Sequence, residues 1–365
     1  MKIMKTLKIA LACVATMLLV TSCLKDKESY QAGFSRLTTV KAYHFANDLS
    51  DQLVVESYGN WDITSSGQPA DWCQLSPLRG YAGSSTVEVT FSENKTGKSR
   101  QTVFSIADRD HADEAYSTFV IGQLATRGDG SLGNAAAVKS ITGSDGSRVE
   151  ATYDELHRPL TATIKKADEL LWKLEFKYAP ETMTVETNHG QFTADMTYDY
   201  QPSKQLVNGA SKVSFKEDEY FNLLSSQYAF QIVYYQNDDN YEGLSYLMPS
   251  VRCLLPDSLH NADSLKYIRS VAGNVELTKM KPTYSQIDNR CQSVDVNQLL
   301  LGVERCNPFL LFSLFRQARN TSIISELKTG SDNITVKAEL NADKSVRQLQ
   351  VTRGGEAVTY TFKYE

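Results

Sequence analysis

The chain lacks most of the marks by which nucleic-acid-binding and catalytic proteins are recognised. Its 365 residues hold 38 Lys and Arg against 43 Asp and Glu, a net charge of −5, and no dense basic cluster. The positive footprint that a phosphate backbone requires is absent, so nucleic acid is not a partner. His44, His111, His157, His189 and His260 lie far apart, with no H-E-x-x-H and no pair at helical spacing. There is no G-x-S-x-G and no Gly-rich phosphate loop. None of the six cysteines forms a C-x-x-C pair, which argues against zinc. Asn237-Asp238-Asp239-Asn240, with Glu242 nearby, gathers oxygen ligands, but its spacing misses the EF-hand pattern and it reads as a solvated turn. Paired carboxylates of the glycoside-hydrolase kind leave no local motif and stay open. The expectation is a protein with no catalytic residues, no metal and no other cofactor.

What is present begins at the N-terminus. Lys2, Lys5 and Lys8 precede an apolar run from Ile9 to Val20, which is shorter than the about 20 apolar residues that cross a bilayer. The order is that of a secretory signal. Val20-Thr21-Ser22-Cys23 resembles a bacterial lipobox. That resemblance implies removal of residues 1–22, acylation of the Cys23 thiol and further acylation of the new N-terminus. Several acyl chains, at about 0.8 kcal/mol per buried methylene, would make the membrane a partner through a lipid anchor at Cys23. An ordinary signal with Cys23 as a structural thiol is the alternative. Leu24-Lys25-Asp26-Lys27-Glu28, in a tether over 23–36, is similar to the charged tether of Bacteroidetes surface lipoproteins and also reads as a solvated spacer. The expected location is the outer membrane, lipid-anchored, at the cell surface, with the periplasmic face as the alternative. Cys73, Cys253, Cys291 and Cys306 either form one bridge, Cys291 with Cys306, or stay as buried free thiols.

Abundant Tyr (19) and Phe (14) against 9 Pro favour strands. Over 37–127, Trp61 and Ile63 alternate with polar neighbours, as do Val87, Val89 and Phe91, and Asn94 to Lys98 supplies a turn before a return strand. Regular strands with turn signals argue for an antiparallel sandwich. Trp61, then D-W-C-x-L-S-P-x-x-G (71–80), then V-x-V-T-F-x-E-N-x-T-G-x-S-R (87–100) resembles the BACON domain. That family is an immunoglobulin-like β-sandwich, and membership implies glycan or mucin binding or a spacer role. Trp61 and Trp72 suggest a sugar platform, but their place in the shared framework favours the core. Arg100 reads as pairing locally after the turn.

Residues 128–137, after Arg127, are glycine-rich and read as a linker; their R-G-D is a coincidence. From 138 to 365 the hairpins lengthen. Leu174, Phe176 and Tyr178 alternate with Lys173, Glu175 and Lys177, and Val358, Tyr360, Phe362 and Tyr364 alternate with Thr359, Thr361 and Lys363. The last strand therefore should complete the sheet that the first hairpins start. The recurring Thr-Tyr-Asp, at 152–154 and 197–199, is similar to degenerate YD-repeat strands. Helices are expected near 295–320: one capped by Asp295, another starting at Asn307-Pro308 and running to Asn320, apolar nearly all round and so buried. The fold class is mainly β, a sandwich followed by an antiparallel hairpin-rich domain with a short helical insertion.

The expected function is a non-catalytic envelope protein that binds glycan, with Tyr220, Tyr228, Tyr234, Tyr235, Tyr241 and Tyr246 as the aromatic reservoir. The alternative is a structural or assembly protein whose partner is another envelope protein. Asp257-Ser258-Leu259 and Asp263-Ser264-Leu265 resemble a three-residue O-glycosylation signal, placing Ser258 and Ser264 in an exposed loop.

Overall fold

A computed structural model describes residues 34–365 apart from 39–42, 68–69, 111–115, 180–181, 196–208, 215–219, 226–228, 248–260, 315–318 and 331. Cys23, Tyr228, Cys253 and Ser258 lie outside the described residues. The chain is mainly β and divides into two units.

The first unit takes in Leu49–Ser92 and Gln101–Ile121 together with the strand Phe34–Thr38. One sheet runs in the order Phe34–Thr38, Ser50–Ser57, Gly83–Phe91, Cys73–Ser76. The other carries Tyr116–Gln123, Arg100–Asp108, Trp61–Ser65 and Arg79–Gly80. Period-two alternation turns Leu53, Val55, Val87, Val89 and Phe91 of the first sheet and Trp61, Ile63, Phe104 and Ile106 of the second into one buried cluster. Burying each such side chain contributes about 1.5–3 kcal/mol. Trp61 is fully enclosed, and Trp72 stacks on Phe91 at 6.4 Å between centroids. Both indoles belong to the sandwich interior or its margin.

The second unit takes in Lys41–Asp48, Glu93–Arg100 and Gly122–Glu365. Its sixteen-stranded sheet is an antiparallel meander in which strands consecutive in sequence pair, except Gly190–Asp195 and Gly209–Ser214, which form its two edges. The first strand, Val138–Gly143, also pairs with the last, Glu356–Tyr364, and the alternating Tyr360 and Phe362 of the last turn inward. The two edge strands, Gly190–Asp195 and Gly209–Ser214, lie beside each other, so the sheet curls round as a barrel. Tight turns such as Asp145-Gly146, Ala167-Asp168, Asn188-His189 and Ala272-Gly273 gather at one end; Ala272 and Gly273 both have positive φ, +50° and +76°. Inward residues are apolar. The outer wall is charged, with ion pairs Arg148–Glu150, Lys177–Glu186 and Arg347–Glu339 exposed on it. A barrel that spans a bilayer places its apolar band outside; among these strands the polarity runs the other way. No described helix is long and apolar enough to cross a membrane.

The interior is filled by the chain itself. Between Asp288 and Ser322 it leaves the sheet and returns; the described residues of this segment form short 3-10 turns at Asn289–Cys291, Val296–Leu301 and Val303–Arg305 and a helical turn at Pro308–Leu311. Asp295 accepts the backbone N–H of Asn297, and Asn307 accepts those of Phe309 and Leu310, so both expected caps form. The helical turn Pro308–Leu311 gives way at Ser313, where φ is +55°; residues 315–318 of the expected helix lie outside the described residues, and Arg319 beyond them is buried. Apolar character told of burial, and the barrel supplied it to an irregular segment as readily as to a helix. Arg319 donates to the carbonyls of Asn289 (2.7 Å), Gln292 (2.6 Å) and Val294 (3.2 Å) and to Ser313 Oγ, fixing the plug at several points. Burial raises the Asp295 carboxyl above its ordinary value and lowers the Arg319 guanidinium below its own.

The expected linker is not a free tether. Arg127 is 3 % exposed, ion-paired to Glu93 at 2.9 Å and bonded to the carbonyls of Gly133 (3.0 Å) and Ala135. A Cβ on Gly133 would fall 1.7 Å from the Asn94 carbonyl oxygen. These glycines permit close backbone approach, which composition alone reads as flexibility. Arg100 pairs further away than the turn, donating through Nε and Nη2 to Gln123. Cys73, Cys291 and Cys306 are free thiols, so the Cys291–Cys306 bridge does not form.

Candidate functional site at the barrel mouth

The tyrosines expected to act together divide by strand parity. Tyr234 and Tyr246 point into the barrel; Tyr246 accepts a hydrogen bond from Gln298 of the plug. Tyr220, Tyr235 and Tyr241 stand on the outer wall as a cross-strand ladder, register partners at each step. Tyr220 and Tyr235 stack at 4.5 Å with ring planes 8° apart, and Tyr235 and Tyr241 follow at 4.8 Å. A sugar ring packs on an open aromatic face, but Tyr235 has both faces covered by its neighbours. The ladder stabilises the sheet. The carboxamide of Asn237 ties the adjacent turn, accepting from the N–H groups of Asp239 and Asn240, and Asp238 accepts the Tyr220 hydroxyl; this is the solvated turn expected at 237–240. Ser264 is the half-buried first residue of a strand, opposite Leu247, instead of a loop residue, because Leu265 beside it drives into the core.

A different set of rings converges at the hairpin end of the barrel. The strand Glu169–Tyr178 sends Trp172 inward in step with Leu174 and Phe176, but nearer the rim, where it stays half-exposed. His189, from the turn after Thr182–Thr187, lies 4.4 Å from the indole centroid, and Tyr234 lies 5.8 Å from it, edge-on. Phe309 of the plug closes the floor at 6.2 Å, also edge-on. All three neighbours meet Trp172 tilted or edge-on, none stacked flat. His189 Nε2 lies 3.0 Å from the Leu171 carbonyl and 3.3 Å from Asn188 Nδ2, which hold the ring in place.

Polar groups stand beside this aromatic floor. Glu242 is the register partner of Tyr234 and accepts the Tyr267 hydroxyl at 2.9 Å. Burial, with the Glu242 carboxylate beside it, pushes the Tyr267 phenol far above its usual range, so it remains a donor. The exposed Arg305 guanidinium lies 5.6 Å over the Tyr267 ring. The mouth thus combines Trp172, Tyr234 and His189 with one carboxylate and one guanidinium. Among the described residues no three His, Cys, Asp or Glu side chains converge as a metal site. Trp172 was missed from sequence because it stands in no motif, though it shares parity with the alternating Leu174 and Phe176.

Residues 60–124 match the family described as "BACON: Putative binding domain, N-terminal". A comparison with the curated proteins finds no match. Among solved structures, the Bacteroides ovatus GH5 xyloglucanase in complex with a XXXG heptasaccharide is similar over 24% of this chain and 19% of its own, at 18% identity and TM-score 0.20. A porin-like protein from Bacteroides uniformis is similar over 63% of this chain and 99% of its own, at 12% identity and TM-score 0.37. Those scores are too low to carry an argument about fold or ligand. Residues 60–124 accordingly resemble the BACON binding domains, within a chain that is mainly β.

Proposed function

We propose that the protein is a non-catalytic envelope protein, anchored through lipid on Cys23 and facing the cell surface, which binds glycan at the hairpin-end mouth of its barrel. The observation that carries the reading is Trp172, half-exposed at the rim among His189 and Tyr234, with Glu242 and Arg305 beside it. Sites of this kind, at the mouths of β-barrels, pair an apolar floor with a few placed polar groups. Trp172 offers its ring to the C–H face of a sugar with the buried Tyr234 behind it, Glu242 accepts hydrogen bonds from hydroxyls, and Arg305 donates to ring and hydroxyl oxygens. The BACON-like module serves as a spacer or auxiliary binder.

The test is a glycan-array screen of the chain without its lipid, followed by calorimetry with the best ligand. Trp172→Ala should weaken binding at least about tenfold, 1.4 kcal/mol, while circular dichroism and melting show the barrel intact. Unchanged binding by the variant, or silence across the array, overturns the site. Labelled fatty acid should enter the wild-type protein and not Cys23→Ser.

A second reading has an observation of its own. The hairpin Ser264–Val271 and Asn274–Asp288 exposes Val271 (51%), Val275 (59%) and Leu277 (54%). An apolar hairpin of that kind suits a protein partner, and a chain that ignores glycans but co-purifies with an envelope protein through Leu277 would support it.

A further inference from the structure

We propose that a cavity at the other end of the barrel, away from the mouth, binds a sugar acid: a small ring or chain carrying one carboxylate and neighbouring hydroxyls. It is lined by Arg127, Asp129, His157, Arg158 and Tyr178, with Pro159 and Leu314 as apolar wall. His157 and Arg158 lie in the turn between Ser147–Tyr153 and Pro159–Lys166, whose far ends form the opposite hairpins, so this cavity is separate from the Trp172 mouth. The inference does not rest on the reading of that mouth.

Three features make it a prepared site. Arg158 is fixed before any ligand arrives: Nε donates to Asp154 at 2.7 Å, and the guanidinium lies 4.2 Å over the ring of Tyr178, whose hydroxyl is tied to the Pro159 carbonyl at 2.8 Å. The terminal nitrogens of Arg158 make no hydrogen bond among the described residues, so one edge of the fork is presented ready-made. Arg127, nearly wholly buried, spends Nη1 and Nη2 on Glu93, Gly133 and Ala135, yet its Nε–H has no partner. His157 Nδ1 is likewise enclosed and unpartnered. Buried polar groups are nearly always paired, and leaving one unpaired costs about 1–3 kcal/mol.

The chemistry of these groups selects the ligand. Guanidinium nitrogens only donate, so what fills the site must accept, and a carboxylate matches the geometry of an Arg fork. The other side of the cavity holds Asp129, whose Oδ1 already accepts from the Ser131 N–H at 2.8 Å. A carboxylate there only accepts, so the same ligand must also donate, as a hydroxyl does. An anion without hydroxyls, such as acetate, satisfies the arginines and is repelled by Asp129. A neutral sugar satisfies Asp129 and leaves the arginine donors without a charged partner. Pro159, Leu314 and the Tyr178 ring cover a hydrocarbon face.

Isothermal titration calorimetry on the whole chain with galacturonate, galactose, acetate and inorganic phosphate tests this. Galacturonate should bind at least about tenfold more tightly than each of the other three. Arg158→Gln should remove that advantage, Arg158→Lys should retain part of it, and Trp172→Ala should leave it unchanged, with equal melting temperatures confirming that the variants fold. Galactose binding as tightly as galacturonate would show that the carboxylate is not read. Phosphate or acetate binding equally well would reduce the site to an anion hole. No heat with galacturonate up to about 10 mM, or full affinity in Arg158→Gln, would also overturn the proposal.

Discussion

A Cβ placed on Gly80 would lie 2.3 Å from the indole of Trp61, its register partner on the neighbouring strand. The final glycine of the D-W-C-x-L-S-P-x-x-G stretch is there to make room for that ring. Gly80→Ala should therefore destabilise the sandwich by about 2 kcal/mol, the usual cost of overpacking. Trp61→Phe in the same background should recover part of the loss, because the smaller ring yields space and the Trp61 Nε1–H has no hydrogen-bond partner to lose. Urea midpoints of the two single variants and the double variant form the cycle; strict additivity would contradict the contact.

The outer tyrosine ladder separates stability from recognition. Tyr235→Ala removes the middle ring, which touches Tyr220 and Tyr241 on its two sides. The expected loss is about 1–2 kcal/mol of barrel stability, from two aromatic pairs. Glycan binding at the mouth should not change. A variant that keeps its melting temperature but loses ligand would move the site to the outer wall.

Lys166 joins a hairpin turn to the plug, contacting Asp145 and, at 3.0 Å, Glu304. Partial burial works against both charges, yet the Lys166 ammonium and the Ser147 donors hold the Asp145 carboxyl below its ordinary value, and the two carboxylates hold Lys166 above its own. A depressed carboxylate stabilises above its unfolded value, about 3.9, and loses that contribution as pH falls through the lower folded value. A raised ammonium stabilises below about 10.4 and loses its contribution as pH rises through the higher folded value. Solvent screens the cluster, so Asp145→Asn should cost about 0.5–1 kcal/mol at pH 7. The gap from wild type should close on the acid side of the folded value, as read by urea unfolding at a series of pH values.

Arg319→Leu tests the plug. The substitution keeps much of the bulk but strips a donor from the carbonyls of Asn289, Gln292 and Val294; Asn289 still accepts from the Gln292 side chain, while the other two lose the Arg319 bond. At about 1–3 kcal/mol per orphaned group, the barrel should melt many degrees lower and expose the segment after Asp288 to protease. Wild-type melting would mean that apolar packing alone seats the plug.

The sequence was readable where parity governs and silent where closure does. Leu174 and Phe176, or Tyr360 and Phe362, announce an inward face because their neighbours are charged, and the pairing of first and last strands accords with that alternation. Tyr234 and Tyr235 are adjacent, both aromatic and unlike in role; which one faces in depends on register with the strand Asn240–Leu247, and their own types do not fix it. Trp172 continues a visible alternation, but its significance comes from His189 and Tyr234, which only folding brings near. A meander of hairpins reads the same whether its sheet lies open or closes round a plug. The glycines of 127–137 report permissive backbone, and only the position of the Asn94 carbonyl shows that Gly133 serves close packing.

The pairing of Val138–Gly143 with Glu356–Tyr364 has a consequence for how the protein is made. The strand synthesised first in the barrel waits for the strand synthesised last, and the plug segment is made between them. Contacts this distant along the chain slow folding, since the whole intervening loop must be ordered first. During synthesis the barrel segment stays incomplete, with an unpaired edge at Val138–Gly143 open to other chains. Loss of the final strand would leave that edge permanently bare, turning a closed wall into a surface that recruits its own copies.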